Sequence, residues 1–199
     1  MNGRVERLRE LLEEPLLVTN PTNILYLAGF KTSNGALLIE PERVRIFTDF
    51  RYAEAARAVE GIEFEETKRA LLKDLSERLT GRIGFEAHFV PYTGYETLRA
   101  GAIEPVPRSG LVEQLRVVKD QEELGSIKRA CEIADRVYAR LIEERFVGRT
   151  ERDVAWTIEQ LFHDEGAEAS HSRRSSPRAP TPPDRTAAPP IARFAAARL

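Results

Sequence analysis

The sequence predicts an α/β protein in which residues 1–107 form a mixed sheet with flanking helices and residues 108–169 begin a second domain. Three observations lead there. Segments of helical and strand periodicity alternate from residue 2 to about 107, the pattern of a sheet layered with helices. Two strand-like runs, 36–40 and 44–47, flank the turn residues Pro41, Glu42 and Arg43, so part of the sheet is antiparallel. After Pro107 the alternation stops and long amphipathic segments take over.

Each element has a local cause. Asn2 is placed to cap a helix whose apolar face is Val5, Leu8, Leu11 and Leu12. Pro15 interrupts it, and 16–19 reads as a short buried strand. The turn residues Asn20 and Pro21 open a short helix through Leu27, which Gly29 ends. Asp49 stands as a cap before Tyr52, Ala55, Ala56 and Val59. Strand 62–65, a helix burying Leu71, Leu72, Leu75 and Leu79, and strand 82–86 follow. Thr93 and Glu96 have the spacing of a capping box for the next helix, and 103–106 closes the series. Beyond Pro107, Asp120 and Glu123 form a second such pair. They lead an apolar repeat of Leu124, Ile127, Cys131, Ala134, Tyr138 and Leu141, a helix expected to reach Phe146 and end at Gly148. Thr150 and Asp153 cap one more helix, with Val154, Ile158, Leu161 and Phe162 inward.

Composition narrows the function classes. No run approaches the roughly 20 apolar residues of a membrane helix. The first residues carry Glu6 and no apolar stretch, so no secretory signal is expected and the expected location is cytoplasmic. Cys131 is the single cysteine, which excludes an internal disulfide. Its place in the helical repeat makes it a small buried hydrophobe, with a reactive thiol as the alternative. His88 stands near the strand ending at Glu86 with no other ligand type close by. His163 and Asp164 are adjacent, so on a helix they point about 100° apart and do not converge on a metal. A histidine near a helix C-terminus is the simpler reading.

Several segments resemble, in order over 16–168, the creatinase/prolidase family of Xaa-Pro-cleaving metallopeptidases. They are Asn23-Ile24-Leu25-Tyr26-Leu27-Ala28-Gly29-Phe30 with Gly35-Ala36-Leu37-Leu38-Ile39, and Thr48-Asp49-Phe50-Arg51-Tyr52. Leu115-Arg116-Val117-Val118-Lys119-Asp120, followed by Glu122-Glu123 and Ile127-Lys128-Arg129-Ala130, and Gly148, Thr150, Glu151, Asp153, Val154 and Ala155 complete the set. The resemblance implies an N-terminal domain that supports subunit contacts, a homodimer among them, and the mouth of an active site, with Asn23 on the pocket rim. It implies that 108–169 are the first helices of a truncated α+β "pita-bread" catalytic domain. Intact members hold two divalent metal ions (Mn, Zn or Co) through two Asp, one His and two Glu, and act on peptides. All five ligands fall beyond the resemblance, so no catalytic, cofactor-binding or metal residue is assigned to this chain. The expected function is the N-terminal portion of an Xaa-Pro aminopeptidase or dipeptidase, inactive as it stands. A non-catalytic assembly or regulatory module pairing with full-length subunits, and a fragment of a creatinase-like amidinohydrolase, are the alternatives. No specific nucleic acid and no membrane are expected as partners.

The net charge of −2 conceals a split. Residues 170–199 hold six Arg, one Asp and six of the twelve Pro, a charge of +5, which leaves 1–169 at −7. Such a composition predicts a disordered tail. It reads either as a basic arm or as the product of a reading-frame change. With codons taken one frame over from Ser170, wobble choices allow TFPPIVAEGPNAARPHGRP, which is similar to the family's continuation.

Overall fold

The computed structural model describes residues 3–167; the Asn2 cap and the 170–199 tail lie outside the described residues. The chain divides into two compact units, one from Met1 to Val118 and one beginning at Lys119.

In the first unit the elements run α1 (Gly3–Arg9), β1 (Leu16–Val18), α2 (Pro21–Ala28), β2 (Gly35–Ile39), β3 (Val44–Thr48), a 3-10 turn (Phe50–Tyr52) and α3 (Ala53–Arg57). Then come β4 (Glu63–Glu66), α4 (Leu71–Arg78), β5 (Thr80–Glu86), α5 (Tyr92–Arg99), β6 (Ala102–Arg108) and α6 (Leu111–Val117). The six strands form one sheet in the order β4-β3-β2-β1-β5-β6. Strand β2 runs antiparallel to β1 and β3, while β3–β4, β1–β5 and β5–β6 are parallel. The sheet is therefore mixed, as the hairpin at 41–43 requires.

Strand alternation divides the core between two faces. Leu16, Val18, Leu37, Ile39, Val44 and Ile46 pack against Val5 and Leu8 of α1 and Ile24 and Leu27 of α2. Leu17, Ala36, Leu38, Phe47, Ile83 and Phe85 pack against Leu71 and Leu75 of α4 and Leu98 of α5. Helices thus cover both faces. Strand β6 is an edge, which is why it tolerates Pro105 and Pro107. Gly29 ends α2 with φ 64, the left-handed cap a helix C-terminus favours.

Two local expectations change. Helix α5 starts at Tyr92 with Pro91 as its cap, so Thr93 lies inside the helix and makes no capping box with Glu96. Pro91 fixes the start, because its ring presets φ and its missing N–H costs the helix nothing there. The periodicity puts the domain boundary at 107/108, whereas the first unit reaches Val118. Helix α6 belongs to it because Val112 is buried in the same core as α1 and β1.

In the second unit, α7 (Gln121–Leu141) and α8 (Glu151–Asp164) both begin with complete capping boxes, Asp120 with Glu123 and Thr150 with Asp153. Helix α7 stops at Leu141, short of Phe146. Val137 and Leu161 are the residues these helices bury, flanked by the half-buried Ile133, Leu141 and Ile158. Arg136 and Arg140 pair with Glu165 at 2.7 and 3.0 Å. Cys131, expected to be buried, is exposed. It lies on the stripe of Leu124, Ile127 and Tyr138, which are also exposed, because α8 covers the stripe through Val137 instead.

Candidate functional site

The carboxyl ends of the adjacent parallel strands β1 and β5 are tied together by a polar cluster centred on the buried Asn23. Chain direction explains the convergence. After β1 the chain turns one way, into α2 and β2, and after β5 it turns the other way, into α5 and β6. Glu86, the last residue of β5, accepts from the backbone N–H groups of Thr19 and Asn20 through Oε2, at 2.6 and 2.7 Å. Its Oε1 accepts from Asn23 Nδ2 at 2.6 Å. The same Asn23 nitrogen donates to Glu113 Oε1 at 2.7 Å, and Asn23 Oδ1 accepts from Arg116 Nη1 at 3.0 Å. One amide on α2 thus joins β5 to α6.

Asn23, expected on a pocket rim, is completely buried. Its partners Glu86 and Glu113 line a small cavity of about 70 Å³ together with Asn20, His88 and Arg108. The residue types gave no sign that Glu113 and Arg116 belong with it. Their i,i+3 spacing on a helix places Glu113 and Arg116 beside each other, but nothing local points to Asn23.

A larger cavity of about 420 Å³ opens beside this cluster. Thr19 and Pro21 come from the end of β1 and the start of α2, and Asn34 from the loop before β2. Lys73 lies on α4, and Phe89 and Pro91 on the loop after β5. Among the described residues that line it there is no Asp, Glu, His or Cys. The Asn34 amide donates to Asp49 and to the Arg69 carbonyl, and the Thr97 hydroxyl to the Thr93 carbonyl, so the lining offers an ammonium and apolar surface, a set suited to holding a molecule rather than breaking a bond.

The loop bearing Asn34 is held by a buried carboxylate. Asp49 Oδ2 accepts from Asn34 Nδ2 and from Arg51 Nη2, both at 2.7 Å. Its Oδ1 accepts from Arg51 Nε at 2.8 Å and from the Arg51 backbone N–H at 3.1 Å. The guanidinium fork of Arg51, aided by Asn34, holds the Asp49 carboxyl well below the usual carboxylate range against the opposing cost of burial. Asp49 caps the 3-10 turn as expected, and it is an ion-pair partner as well.

The remaining candidates stay apart. His88 is exposed on the small cavity's edge, and His163 and Asp164 are exposed on α8, where Asp164 meets Arg140 at 3.4 Å. Among the described residues no three of His, Cys, Asp or Glu converge in a way that would hold a metal ion. They do not fit the donor set of a dinuclear centre.

Residues 4–118 match the family model of the creatinase/prolidase N-terminal domain, a span that coincides with the first structural unit. The chain belongs to that family. A curated relative, the uncharacterized peptidase YqhT of Bacillus subtilis, is 31% identical over 178 residues, covering 84% of this chain and 50% of its own length. The Xaa-Pro dipeptidase of Bacillus anthracis superposes with a TM-score of 0.75 at 28% identity, again over 84% of this chain and 50% of that one. The N-terminal domain of the cytoplasmic peptidase PepQ from Mycobacterium tuberculosis superposes at 0.52 with 32% identity, covering 58% of this chain and 99% of that structure. The chain spans about half the length of the curated relatives it matches. This creatinase/prolidase N-terminal domain is the six-stranded unit whose strand ends carry the Asn23 cluster and the larger cavity.

Proposed function

We propose that the chain is the N-terminal portion of a proline-specific metallopeptidase, an Xaa-Pro aminopeptidase or dipeptidase. The observation that supports it most is the similarity to the B. anthracis dipeptidase, which runs through 84% of this chain and so extends past the family-model match at residue 118. In this reading the two divalent metal ions, Mn, Zn or Co, are bound by residues other than 3–167, and 119–167 contribute the first helices of the catalytic domain. The first unit contributes subunit contacts, in a homodimer, and the mouth of the site, where Asn23 fixes the end of β5 from beneath. The setting is cytoplasmic. Among the described residues no helix is long and apolar enough to cross a membrane, and PepQ is a cytoplasmic peptidase by name.

The test is an assay of the purified chain with Mn²⁺ or Co²⁺ on an Xaa-Pro dipeptide, beside a chimera joining residues 1–167 to the C-terminal half of the B. anthracis dipeptidase. The chain alone should release no proline, and the folded chimera should release it only with metal. Turnover by the chain alone would overturn the assignment of the metal ligands to other residues. A folded, metal-loaded chimera without activity would overturn the family role.

A second reading, an assembly module that pairs with full-length subunits, is favoured by the exposed apolar side chains of α7 and α8, among them Ile127, Tyr138 and Trp156. Light scattering of the chain alone and mixed with a full-length relative distinguishes the two.

A further inference from the structure

We infer that the cavity at the carboxyl ends of β1 and β5 is a binding site for a small monocarboxylate with a compact apolar body. The inference stands apart from the peptidase reading, since it uses only the first unit.

Place and size come first. Ligands of open α/β sheets sit beyond the carboxyl ends of strands where neighbouring connections leave in opposite directions, and β1 and β5 are such a pair. The volume of about 420 Å³ lies within the range of about 300–1,000 Å³ common to small-molecule sites.

The sign of the charge follows from the lining. Acids outnumber bases in the chain, 32 to 30, yet none of the described residues on this cavity is acidic. Lys73 is its one charged side chain among them, and no carboxylate of the described residues lies within ion-pair distance of that ammonium. The nearby acid Asp74 is taken by Lys68 and Arg78 instead. An unpaired ammonium on a wall without acids favours an anion. The first turns of α4 and α5 add to this field. Ala70 and Pro91, which cap them, line the cavity and supply no side-chain acceptor, so the first-turn N–H groups are left to other partners.

The shape of the ligand follows from the rest. Leu72, Phe89, Val90 and Pro91 supply apolar surface, and with the Asn34 amide and the Thr97 hydroxyl engaged within the protein, Lys73 is the group left to meet an anion. A fully hydrated inorganic anion would leave the apolar side uncovered. A compact aliphatic acid covers it and presents one carboxylate to Lys73.

The experiment is calorimetric titration of the full chain with sodium isocaproate, its neutral amide, sodium phosphate, and the tripeptide Ala-Ala-Leu. The expected result is saturable one-site binding of isocaproate, with the amide at least about tenfold weaker, the loss of one charge-assisted hydrogen bond. Lys73→Gln should weaken isocaproate about tenfold and Lys73→Arg should largely keep it. Phe89→Ala should weaken it while leaving the preference for acid over amide. Both Lys73 and Phe89 are exposed, so these variants should fold, which an unchanged melting temperature checks. Equal binding of acid and amide, unchanged affinity in Lys73→Gln, or no saturation at millimolar ligand would overturn the assignment. Phosphate binding as tightly as isocaproate would overturn the apolar body. Tighter binding of the tripeptide would overturn the free acid in favour of a peptide terminus.

Discussion

Asn23 and Glu86 are 63 residues apart in the chain, and their side chains meet at 2.6 Å, joining α2 to the end of β5. The geometry allows only acceptors on Glu86, because one oxygen takes the Asn23 amide and the other takes two backbone N–H groups. Glu86→Gln therefore sets an NH₂ group against a donor, and it should cost about 1–3 kcal/mol. Asn23→Asp is more severe, since it places a third carboxylate between Glu86 and Glu113; a loss of about 3 kcal/mol or more is expected. Urea unfolding of both variants checks the order. Equal stability of Asn23→Asp and the parent chain would show that the cluster carries no weight.

Asp49 should make the first unit sensitive to acid. Its folded pKa is depressed below the unfolded value of about 3.9, so its contribution is fully present above that pH. The contribution fades as pH falls through the lower folded value. Asp49→Asn should flatten the stability profile below about pH 4. Asp49→Ala should cost about 3 kcal/mol at neutral pH, the low end for breaking a buried pair, because Arg51 is 39% exposed. Thermal melts from pH 2 to 7 test both (roughly the window of carboxylate titration).

Gly101 sits where no side chain fits. A Cβ there would lie 1.9 Å from the Ser76 carbonyl oxygen, which belongs to the backbone of α4. Gly101→Ala must push α4 away from the turn before β6, and it should cost about 3 kcal/mol or more. Gly3→Ala, with nothing within 4 Å, should be neutral or slightly stabilising. Melting temperatures of the two variants give the contrast directly.

A buried and an exposed apolar residue of the second unit should respond differently. Leu161→Ala, which empties a buried position on α8, should cost the second unit about 2 kcal/mol. Tyr138→Lys, on the exposed stripe, should change stability by less than about 0.5 kcal/mol and reduce self-association. Amide exchange along α7 reads the first effect and light scattering the second. A large destabilisation by Tyr138→Lys would mean that this stripe is packed in solution.

What the sequence determined by itself is what its residues settle within a turn or two of each other. The capping boxes at Asp120 and Thr150 close over three residues, the hairpin at 41–43 joins neighbouring strands, and Gly29 supplies its own positive φ. The same spacing at Thr93 misled, because Pro91 two residues earlier had already fixed the helix start. The unbroken apolar run at 16–18 reads as a buried strand, and the structure buries it throughout. The run did not say which helix covers which face, since that depends on strand order and register. Only the tertiary structure decided that Asn23, Glu86, Glu113 and Arg116 share one cluster. Glu86, Glu113 and Arg116 lie 63, 90 and 93 residues from Asn23, and they meet it because β1 pairs with β5 across the sheet. Cys131 shows the same limit on a single helix. Helix α7 carries two apolar stripes at helical spacing, and the sequence could not choose between them; α8 buried Val137 and left Cys131 in water. Local bonds are fixed by neighbouring residues, whereas burial is fixed by whatever the fold lays on top.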